Sequence, residues 1–475
     1  MARRKEIYTI LAEVARRVTP TPAERRQVSG MAEELRKRVE ELARERGVPA
    51  EVRVEGSVAK DTWLRGDADI DVFMLIPEHV ERREIASTYM EIARESLRGY
   101  PQTERYAEHP YVEAQLTPTV KANIVPCYRV KPPRWKTATD RTPYHTEYVR
   151  KKLRSEKGKK EVRLLKRFMK GISVYGSDIK VGGFSGYLAE LLIIHYGSFL
   201  NTLEASSQWR RGEFLDVEDY FGGRGEEARK LFDSPPLLAV DPVDRHRNVA
   251  SALREECFHF FREASKRFLH QPSRRFFYPP SPKPLAARRL QEALARRGGY
   301  LLFLKLGAVK AVPDVLWGQL YKTEKALVRL LEDFDFQVLR SAVWSDEASN
   351  SVLVFELEEG SQGGTVKHLG PPVLAGEEEN FLAKHLGGRN TVSGPYIEGG
   401  RWAVLVRRKY TDAKTMLRDK LADGGRSVGV ASRLAETIRE GFNLLASGEI
   451  SRFYQQHRDF AAFLTRFLDG KPPWL

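Results

Sequence analysis

The fold of the N-terminal part is decided by one stretch, Gly56-Ser-Val-Ala-Lys-Asp-Thr-Trp-Leu-Arg-Gly-Asp-Ala-Asp69-Ile-Asp-Val-Phe73. The segment before it, 51–55, alternates as a β-strand, and Gly56-Ser57 is typical of a turn. A second strand follows at 70–76 and is ended by Pro77. The stretch therefore predicts a strand, a tight turn and a second strand that carries two acids.

The spacing of the two acids predicts a site for divalent cations. Asp69 and Asp71 are separated by one residue on a strand, so both carboxylates project from the same face. Two carboxylates placed in this way can share hard cations such as Mg²⁺. The turn offers backbone N–H groups and the Ser57 hydroxyl to phosphates, and Lys60 adds positive charge. Phosphoryl transfer uses this combination, with two Mg²⁺ ions roughly 3.5–4 Å apart.

Hydrophobic periodicity divides the rest of the chain. We expect an α+β class with several domains: a catalytic head at 1–150 with a mixed sheet, a helical neck at 151–272, and an α+β body and tail at 273–475. A proline-rich break at 279–284 lies near the second boundary. The predicted helices are 5–17, 23–46 and 314–333, and the predicted strands after 76 are 111–116, 120–125, 300–306, 337–344 and 351–357.

Composition restricts the function. The net charge of +15 predicts attraction to a polyanion, nucleic acid before membrane, although the charge-rich surface of a heat-adapted protein is an alternative. Cys127 and Cys257 have no partner at metal-ligand spacing, which argues against a disulfide framework and a zinc site. The absence of a long apolar stretch and of a signal-peptide core favours a cytosolic, cytoplasmic protein.

The Gly-Ser turn followed by Asp-x-Asp resembles the polymerase-β-like nucleotidyltransferase superfamily. That resemblance implies a third carboxylate on a neighbouring strand, which helps bind the catalytic metal and activate the attacking hydroxyl. Here the matching position is Asn123, which we assign with Asp69 and Asp71 to the catalytic and metal-binding set. An amide oxygen can coordinate a hard ion but is a poor proton acceptor. Either the site is inactivated and still binds nucleotide, or Asp69 and Asp71 suffice for catalysis. Glu113 is a weaker substitute for the third carboxylate.

Further segments resemble the archaeal, class I, tRNA CCA-adding enzymes. They include Val174-Tyr-Gly176, Gly183-Phe-Ser-Gly-Tyr187, Asp241-Pro-Val-Asp244, Phe276-Phe-Tyr-Pro-Pro280, His368-Leu-Gly-Pro-Pro372 and Gly394-Pro-Tyr-Ile-Glu398. The resemblance runs over nearly the whole chain. It implies a Mg²⁺-dependent enzyme that adds or repairs the 3′-terminal CCA of tRNA from CTP and ATP without a template.

Carried over through these matches, the resemblance implies a nucleotide-binding set. It consists of Gly56, Ser57 and Lys60 at the triphosphate, Thr142 and His145 at the sugar or phosphates, Lys166 and Tyr175 at the triphosphate, and Arg247 under the base. Simpler roles stay open for several of them: a solvated Lys166, a Tyr175 in the core, a His145 that caps a helix, and an Arg247 that pairs with Asp241 or Asp244.

The resemblance also implies that the C-terminal half holds the acceptor and TΨC arms of tRNA. A-form RNA is contacted mainly through phosphates and 2′-hydroxyls, for which arginines suffice. The candidates are Arg274, Arg275, Arg288, Arg289, Arg296, Arg297, Arg407, Arg408 and Lys409. Two rivals remain: a poly(A)-type terminal nucleotidyltransferase and an RNA-binding protein disabled at Asn123. The sequence leaves the oligomeric state open between a monomer and a homodimer.

Overall fold

The computed structural model describes residues 2–106, 110–232 and 234–475. It divides into two compact units, residues 1–281 with 471–475, and residues 282–470. The α+β class with several sheets is confirmed. The finer division into head, neck and body stays a prediction.

The N-terminal sheet has the strand order β1-β2-β5-β4-β3, in which only β2 and β5 run parallel. Its strands are β1 Glu51–Glu55, β2 Ala68–Ile76, β3 Gln102–Tyr106, β4 Pro110–Thr117 and β5 Val120–Tyr128. The helices of this part are α1 Ala2–Val18, α2 Pro22–Glu45, α3 Gly56–Ala59, α4 Arg82–Glu84 and α5 Met90–Ser96, with a π-helical turn Ile85–Tyr89 before α5. The predicted strands are confirmed; β3 and the helices between β2 and β3 were not predicted.

Strand β2 separates a core face from a site face. Ile70, Val72 and Met74 are buried in the core that α2 and α5 share with the sheet. The alternate residues Asp69, Asp71 and Phe73 lie on the opposite face, since successive side chains of a strand alternate. Phe73 belongs to a separate small apolar cluster with Leu75, Val125 and Cys127. Burying one face of β2 therefore places both aspartates on the other.

The start of α2 shows why this helix begins where the sequence predicts. Pro22 occupies the first turn, where a missing N–H costs nothing. The Thr21 hydroxyl accepts a hydrogen bond from the Glu24 N–H, and the Thr21 N–H donates to the Glu24 carboxylate at 2.7 Å. This capping box satisfies two backbone donors and stabilises the helix.

The remainder of the first unit is mainly helical. It contains helices α6 Thr142–Lys152, α7 Glu156–Gly171, α8 Gly186–Tyr196, α9 Phe199–Ser206, α10 Gly225–Leu231 and α11 Glu255–His270, and strands β6 Glu213–Leu215, β7 Leu237–Asp241 and β8 Asp244–Asn248. The prediction of a helical segment missed this small β6-β7-β8 sheet. Strand β7 is buried along its whole length and so lacks the alternation that marks a half-buried strand.

The second unit contains two sheets with the strand orders β10-β11-β9-β15 and β12-β14-β13. Its strands are β9 Tyr300–Leu306, β10 Val338–Ser345, β11 Ser351–Leu357, β12 Thr365–Pro372, β13 Thr391–Glu398, β14 Arg401–Arg407 and β15 Phe442–Ala446. Its helices are α12 Ala287–Ala295, α13 Pro313–Asp333, α14 Glu378–His385, α15 Ala413–Leu421, α16 Ser432–Glu440, α17 Ser451–Gln456 and α18 Arg458–Asp469. The predicted strands β9, β10 and β11 and the predicted helix α13 are confirmed.

Cys127 and Cys257 are both free thiols, and Cys127 is buried. Among the described residues, no helix combines the length and the apolar character that crossing a membrane requires.

Candidate active site

The Gly-Ser motif forms the short helical turn α3 between β1 and β2, and its glycine is required by a close contact. Gly56 has a φ of +70°, which favours glycine. A Cβ atom at this position would lie 1.9 Å from Oδ2 of Asp71. The turn is also fixed by its backbone, because the Gly56 N–H donates to the Thr146 hydroxyl at 3.3 Å. Gly56 therefore lets the turn lie directly against a carboxylate of the predicted site.

The three predicted metal ligands are on neighbouring, parallel strands. Asp71 of β2 is in register with Asn123 of β5, and Asp69 is in register with Lys121. The Asn123 Nδ2 group donates a hydrogen bond to Oδ1 of Asp71 at 2.9 Å. The structure thus brings Asp71 and Asn123 into contact, with Asp69 two residues away on the same strand face.

Neighbouring groups compensate the negative charges of Asp69 and Asp71 poorly. Burial raises the pKa of Asp71 to about 7, against the lowering effect of its hydrogen bond from Asn123. Asp69 is more exposed, and its pKa is raised by partial desolvation and by the charge of Asp67. Desolvated carboxylates that repel each other are stabilised as anions by a nearby positive charge.

An orphaned polar atom tests whether a cation fits here. The Asn123 Oδ1 atom is buried and has no hydrogen-bond partner within the described residues. Buried acceptors are nearly always satisfied, so this oxygen beside Asp71 is suited to a ligand. No group of three or more His, Cys, Asp or Glu side chains that could hold a metal exists in the described part of the chain. The site accordingly offers a hard cation two carboxylates and a neutral amide oxygen.

Glu113 is close to this site in the sheet but is neutralised. It is in register with Asn123 across β4 and β5. Its carboxylate forms ion pairs with Arg105 at 3.1 Å and with Lys121 at 3.8 Å. These ion pairs engage the Glu113 carboxylate with basic side chains, and its being the weaker substitute for a third carboxylate stays a prediction.

A buried carboxylate, Glu190 of α8, holds the two lysines of the predicted triphosphate set. Its Oε2 atom is 2.6 Å from Lys60 Nζ, and its Oε1 atom is 3.0 Å from Lys166 Nζ. The Thr62 hydroxyl donates to Oε1 at 2.5 Å. All four side chains are buried, so the alternative of a solvated Lys166 is wrong. We call these residues the Glu190 network.

The paired lysines keep the Glu190 carboxylate ionised. Burial opposes ionisation of Glu190, but the charges of Lys166 and Lys60 outweigh it and lower the pKa of Glu190 to about 2. Burial lowers the pKa of Lys166, and Glu190 acts in the opposite direction. Lys60 and Lys166 therefore share a single buried carboxylate.

Two glycines of a predicted motif allow close packing around Tyr175. A Cβ at Gly186 would lie 2.9 Å from the Tyr175 hydroxyl and 3.6 Å from Lys166 Nζ. A Cβ at Gly183 would lie 2.1 Å from the Val174 carbonyl oxygen. Burial raises the pKa of Tyr175, so its hydroxyl stays protonated. The structure thus places Tyr175 next to Lys166, at the start of α8.

A second buried carboxylate, Asp241 of β7, joins two further predicted residues. Its Oδ2 atom is 2.9 Å from His145 Nε2 and 2.8 Å from an Arg247 guanidinium nitrogen. The Tyr187 hydroxyl donates to its Oδ1 atom at 3.1 Å, and the Tyr187 ring stacks on His145 with centroids 4.0 Å apart. Arg247 pairs with Asp241, as one simpler alternative proposed, while His145 contacts Asp241 and does not cap a helix. We call these residues the Asp241 cluster.

The Asp241 cluster has a defined charge state. Burial lowers the pKa of His145, which favours a neutral ring that donates from Nε2. Burial opposes ionisation of Asp241, yet its donors His145 and Arg247 lower its pKa to about 2. The guanidinium of Arg247 remains partly exposed, at 31% of its side-chain surface, and can present donors outward.

The remaining predicted residues have mixed surroundings. Thr142 is half-buried at the first position of α6, and Ser57 is half-buried in α3. The exposed arginines of the RNA set are Arg274, Arg275, Arg288, Arg289, Arg296 and Arg407. Of these, Arg274 pairs with Glu13. Arg297 pairs with Glu356, and Arg408 pairs with Asp335. These two guanidinium groups serve the fold of the second unit at least in part.

The sequence interpretation missed Glu190, Thr146 and the hub role of Asp241. A lone acid inside the apolar run of α8 was a usable signal for Glu190, because such an acid is rarely buried without a partner. Asp241 and Tyr187 lay within recognised motifs but had not been assigned to the site. Thr146 carried no signal, since its contact with Gly56 joins residues 90 positions apart.

Comparison with protein families gives consecutive matches along the chain. Residues 32–145 match the nucleotidyltransferase domain, residues 160–278 match the second domain of tRNA nucleotidyltransferases, and residues 297–447 match the C-terminal domain of CCA-adding enzymes. The matches include both compact units.

Full-length relatives give the same result. The CCA-adding enzyme of Methanosarcina acetivorans is 38% identical over 96% of this chain and 97% of its own length. The CCA-adding enzyme of Methanopyrus kandleri is 35% identical over 98% and 97%. The enzyme of the same name from Archaeoglobus fulgidus is 35% identical over 94% and 95%.

Matching solved structures include a cytoplasmic RNA terminal U-transferase, which is 14% identical and covers 57% of this chain and 95% of its own with a TM-score of 0.45. Another is CdnC of E. coli MS115-1 with ATP, which is 17% identical and covers 57% and 94% with a TM-score of 0.43.

Proposed function

The chain belongs to the CCA-adding enzymes, the tRNA nucleotidyltransferases that complete the 3′ end of tRNA from CTP and ATP, and we propose that Asp69, Asp71 and Asn123 form its metal-binding catalytic set. The contact between Asp71 and Asn123, with the unpartnered Asn123 Oδ1 beside it, carries this proposal. The cation that fits two carboxylates and an amide oxygen is a hard one, and we assign it as Mg²⁺.

The bound cation would neutralise charge on the transferring phosphoryl group and on the attacking and leaving oxygens. Asp69 and Asp71 supply the negative charge that holds it. Asn123 contributes an oxygen ligand but cannot take the proton of the tRNA 3′-hydroxyl, because an amide is not a base at neutral pH. We therefore propose that turnover is lower than an aspartate at position 123 would give, with nucleotide binding intact.

The triphosphate is proposed to meet the turn and the Glu190 network. Gly56 and Ser57 form the turn against Asp71, and the Glu190 network holds Lys60 and Lys166 in the interior of the same unit. Tyr175 adds a protonated hydroxyl close to Lys166. A fixed cationic environment favours the polyphosphate without reorganisation at the moment of reaction.

The sugar and base are proposed to meet Thr142 and the Asp241 cluster. Asp241 fixes the orientation of Arg247 and His145 by direct hydrogen bonds. A held guanidinium presents its remaining donors in a fixed geometry, which suits a choice between bases by their acceptor atoms. Arg247 is accordingly the residue that we assign to selection of C and A.

The tRNA is proposed to bind through its acceptor and TΨC arms. The exposed arginines of each unit supply the phosphate contacts: Arg274 and Arg275 in the first, and Arg288, Arg289 and Arg407 in the second. Arg408 has a weaker claim because it is engaged with Asp335.

A product-sizing assay tests the proposal as a whole. The protein is incubated with tRNA that lacks its terminal nucleotides, with Mg²⁺, and with CTP, ATP or both. We expect two additions with CTP alone and three with both nucleotides, at a slow rate. Long extension with ATP alone would instead indicate a poly(A)-type activity, and tRNA binding without any extension would indicate a disabled enzyme.

A further inference from the structure

A basic cleft of about 780 Å³ opens beside β1 and α6. Five basic and two acidic side chains line it, so its walls carry excess positive charge. The basic residues are Arg36, Arg53, Arg150, Lys151 and Arg154. Several residues that we assign to the incoming nucleotide, Lys60, His145 and Lys166 among them, do not line this cleft.

The inner end of the cleft borders the catalytic turn. Glu55 and Thr146 both line it. Glu55 is in register with Asp71 across β1 and β2, and the Thr146 hydroxyl accepts the hydrogen bond from the Gly56 N–H. A ligand in this cleft would therefore lie next to the residues that bind the cation.

Two of the arginines are available to a ligand. Arg150 and Arg154 are exposed, and neither forms an ion pair or hydrogen bond with any described residue. By contrast, Lys151 pairs with Glu147 at 2.7 Å, Arg53 pairs with Glu51, and Arg36 pairs with Glu33 and Glu40. Arginine binds phosphate oxygens in a forked, bidentate geometry, so free guanidinium groups suit a phosphate ligand.

We propose that this cleft binds the phosphodiester backbone of the tRNA next to its 3′ end, with Arg150 and Arg154 as the main contacts. The inference rests on the proposed function, in which the terminal hydroxyl of the tRNA reaches the site of Asp71. The lining contains no aromatic side chain. Single-stranded bases are usually bound by stacking on aromatic rings, so the cleft contacts the sugar-phosphate backbone and not the bases.

Charge reversal tests the proposal. The double variant Arg150→Glu with Arg154→Glu is compared with wild type and with a matched control, Arg94→Glu with Arg98→Glu. The control arginines have the same four-residue spacing, are exposed, belong to the same compact unit and do not line the cleft. The Kd for tRNA lacking its terminal nucleotides is measured over a range of salt concentrations, and the KM for CTP is measured at saturating tRNA.

We expect the cleft variant to bind this tRNA at least about tenfold more weakly. The slope of log affinity against log salt should fall by about 2, since each lost phosphate contact lowers it by about 1. The KM for CTP should stay unchanged. Equal tRNA affinity and salt slope in the cleft variant and the control would overturn the proposal. A raised KM for CTP with normal tRNA binding would also overturn it, and would identify the cleft as a site for a small anion.

The neutral variant Arg150→Gln with Arg154→Gln decides the question if charge reversal disturbs folding, and the same loss of slope is expected there. Wild-type extension of tRNA is recorded in parallel. Failure of that extension would argue against the proposed function, whereas normal extension with an unchanged salt slope in the variants would reject only the cleft.

Discussion

The face of β2 that carries Asp69 and Asp71, here called the acidic face, lies in the same unit as the Glu190 network. The carboxylates of the two regions differ in how far neighbouring groups compensate their charge. On the acidic face, Asp71 is desolvated, its pKa is raised to about 7, and Asn123 Oδ1 has no partner within the described residues. In the Glu190 network, both oxygens of the carboxylate are paired and its pKa is lowered to about 2. The comparison indicates that the first region keeps an acceptor open for a ligand, whereas the carboxylate of the second is already compensated within the protein.

Removing the charge of Asp71 should have the largest effect on activity. We expect Asp71→Asn to reduce nucleotide incorporation on the order of 10³-fold, because part of the cation's several kcal/mol of transition-state stabilisation is lost. The free energy of unfolding should stay unchanged or rise, since a desolvated acid is replaced by a neutral group of similar volume. Incorporation rates and chemical denaturation measure the two effects.

The matched control is Asp333→Asn, which removes an exposed acid at the end of α13 in the second compact unit. A loss of less than about tenfold in Asp71→Asn, or an equal loss in the control, would contradict the assignment of Asp71 as a cation ligand.

Removing the charge of Glu190 should mainly affect stability. Glu190→Gln leaves Lys60 and Lys166 buried without their anion, and we expect unfolding free energy to fall by about 3 kcal/mol. Glu147→Gln, at an exposed ion pair with Lys151, should change it by no more than about 0.5 kcal/mol. Denaturant titration of both variants measures these losses. Similar losses of unfolding free energy in the two variants would refute the claim that the buried pair contributes more than the exposed one.

Weakening the Asp241 cluster should have a smaller effect on activity, seen in the use of nucleotides. Asp241→Asn loses a charged acceptor for Arg247 and His145, so we expect the KM for CTP and ATP to rise about tenfold, as loss of one charged hydrogen bond implies. Asp244→Asn on β8, which loses a pairing with Arg141, serves as the control. An unchanged KM in Asp241→Asn would argue against a role of Arg247 in base selection.

The part of the site that local spacing defines was predictable from the sequence. Alternation along β2 placed Asp69 and Asp71 on one face, and the family resemblance identified Asn123 on β5 as the departure. The Glu190 network was not predictable, because Lys60, Lys166 and Glu190 come from three separate segments and meet only through tertiary packing. The β6-β7-β8 sheet was missed because β7 is a short, fully buried run whose periodicity does not distinguish a strand from a helix.

The central claim is that Asp69, Asp71 and Asn123 form a cation site limited by the amide at position 123. Its most direct test is the rate at which Asn123→Asp incorporates CMP into tRNA that lacks its terminal nucleotides, measured at saturating CTP. We predict a rise of about 10²-fold over wild type, because the new carboxylate can both bind the cation and accept a proton. A folded Asn123→Asp variant with the wild-type rate would contradict the claim.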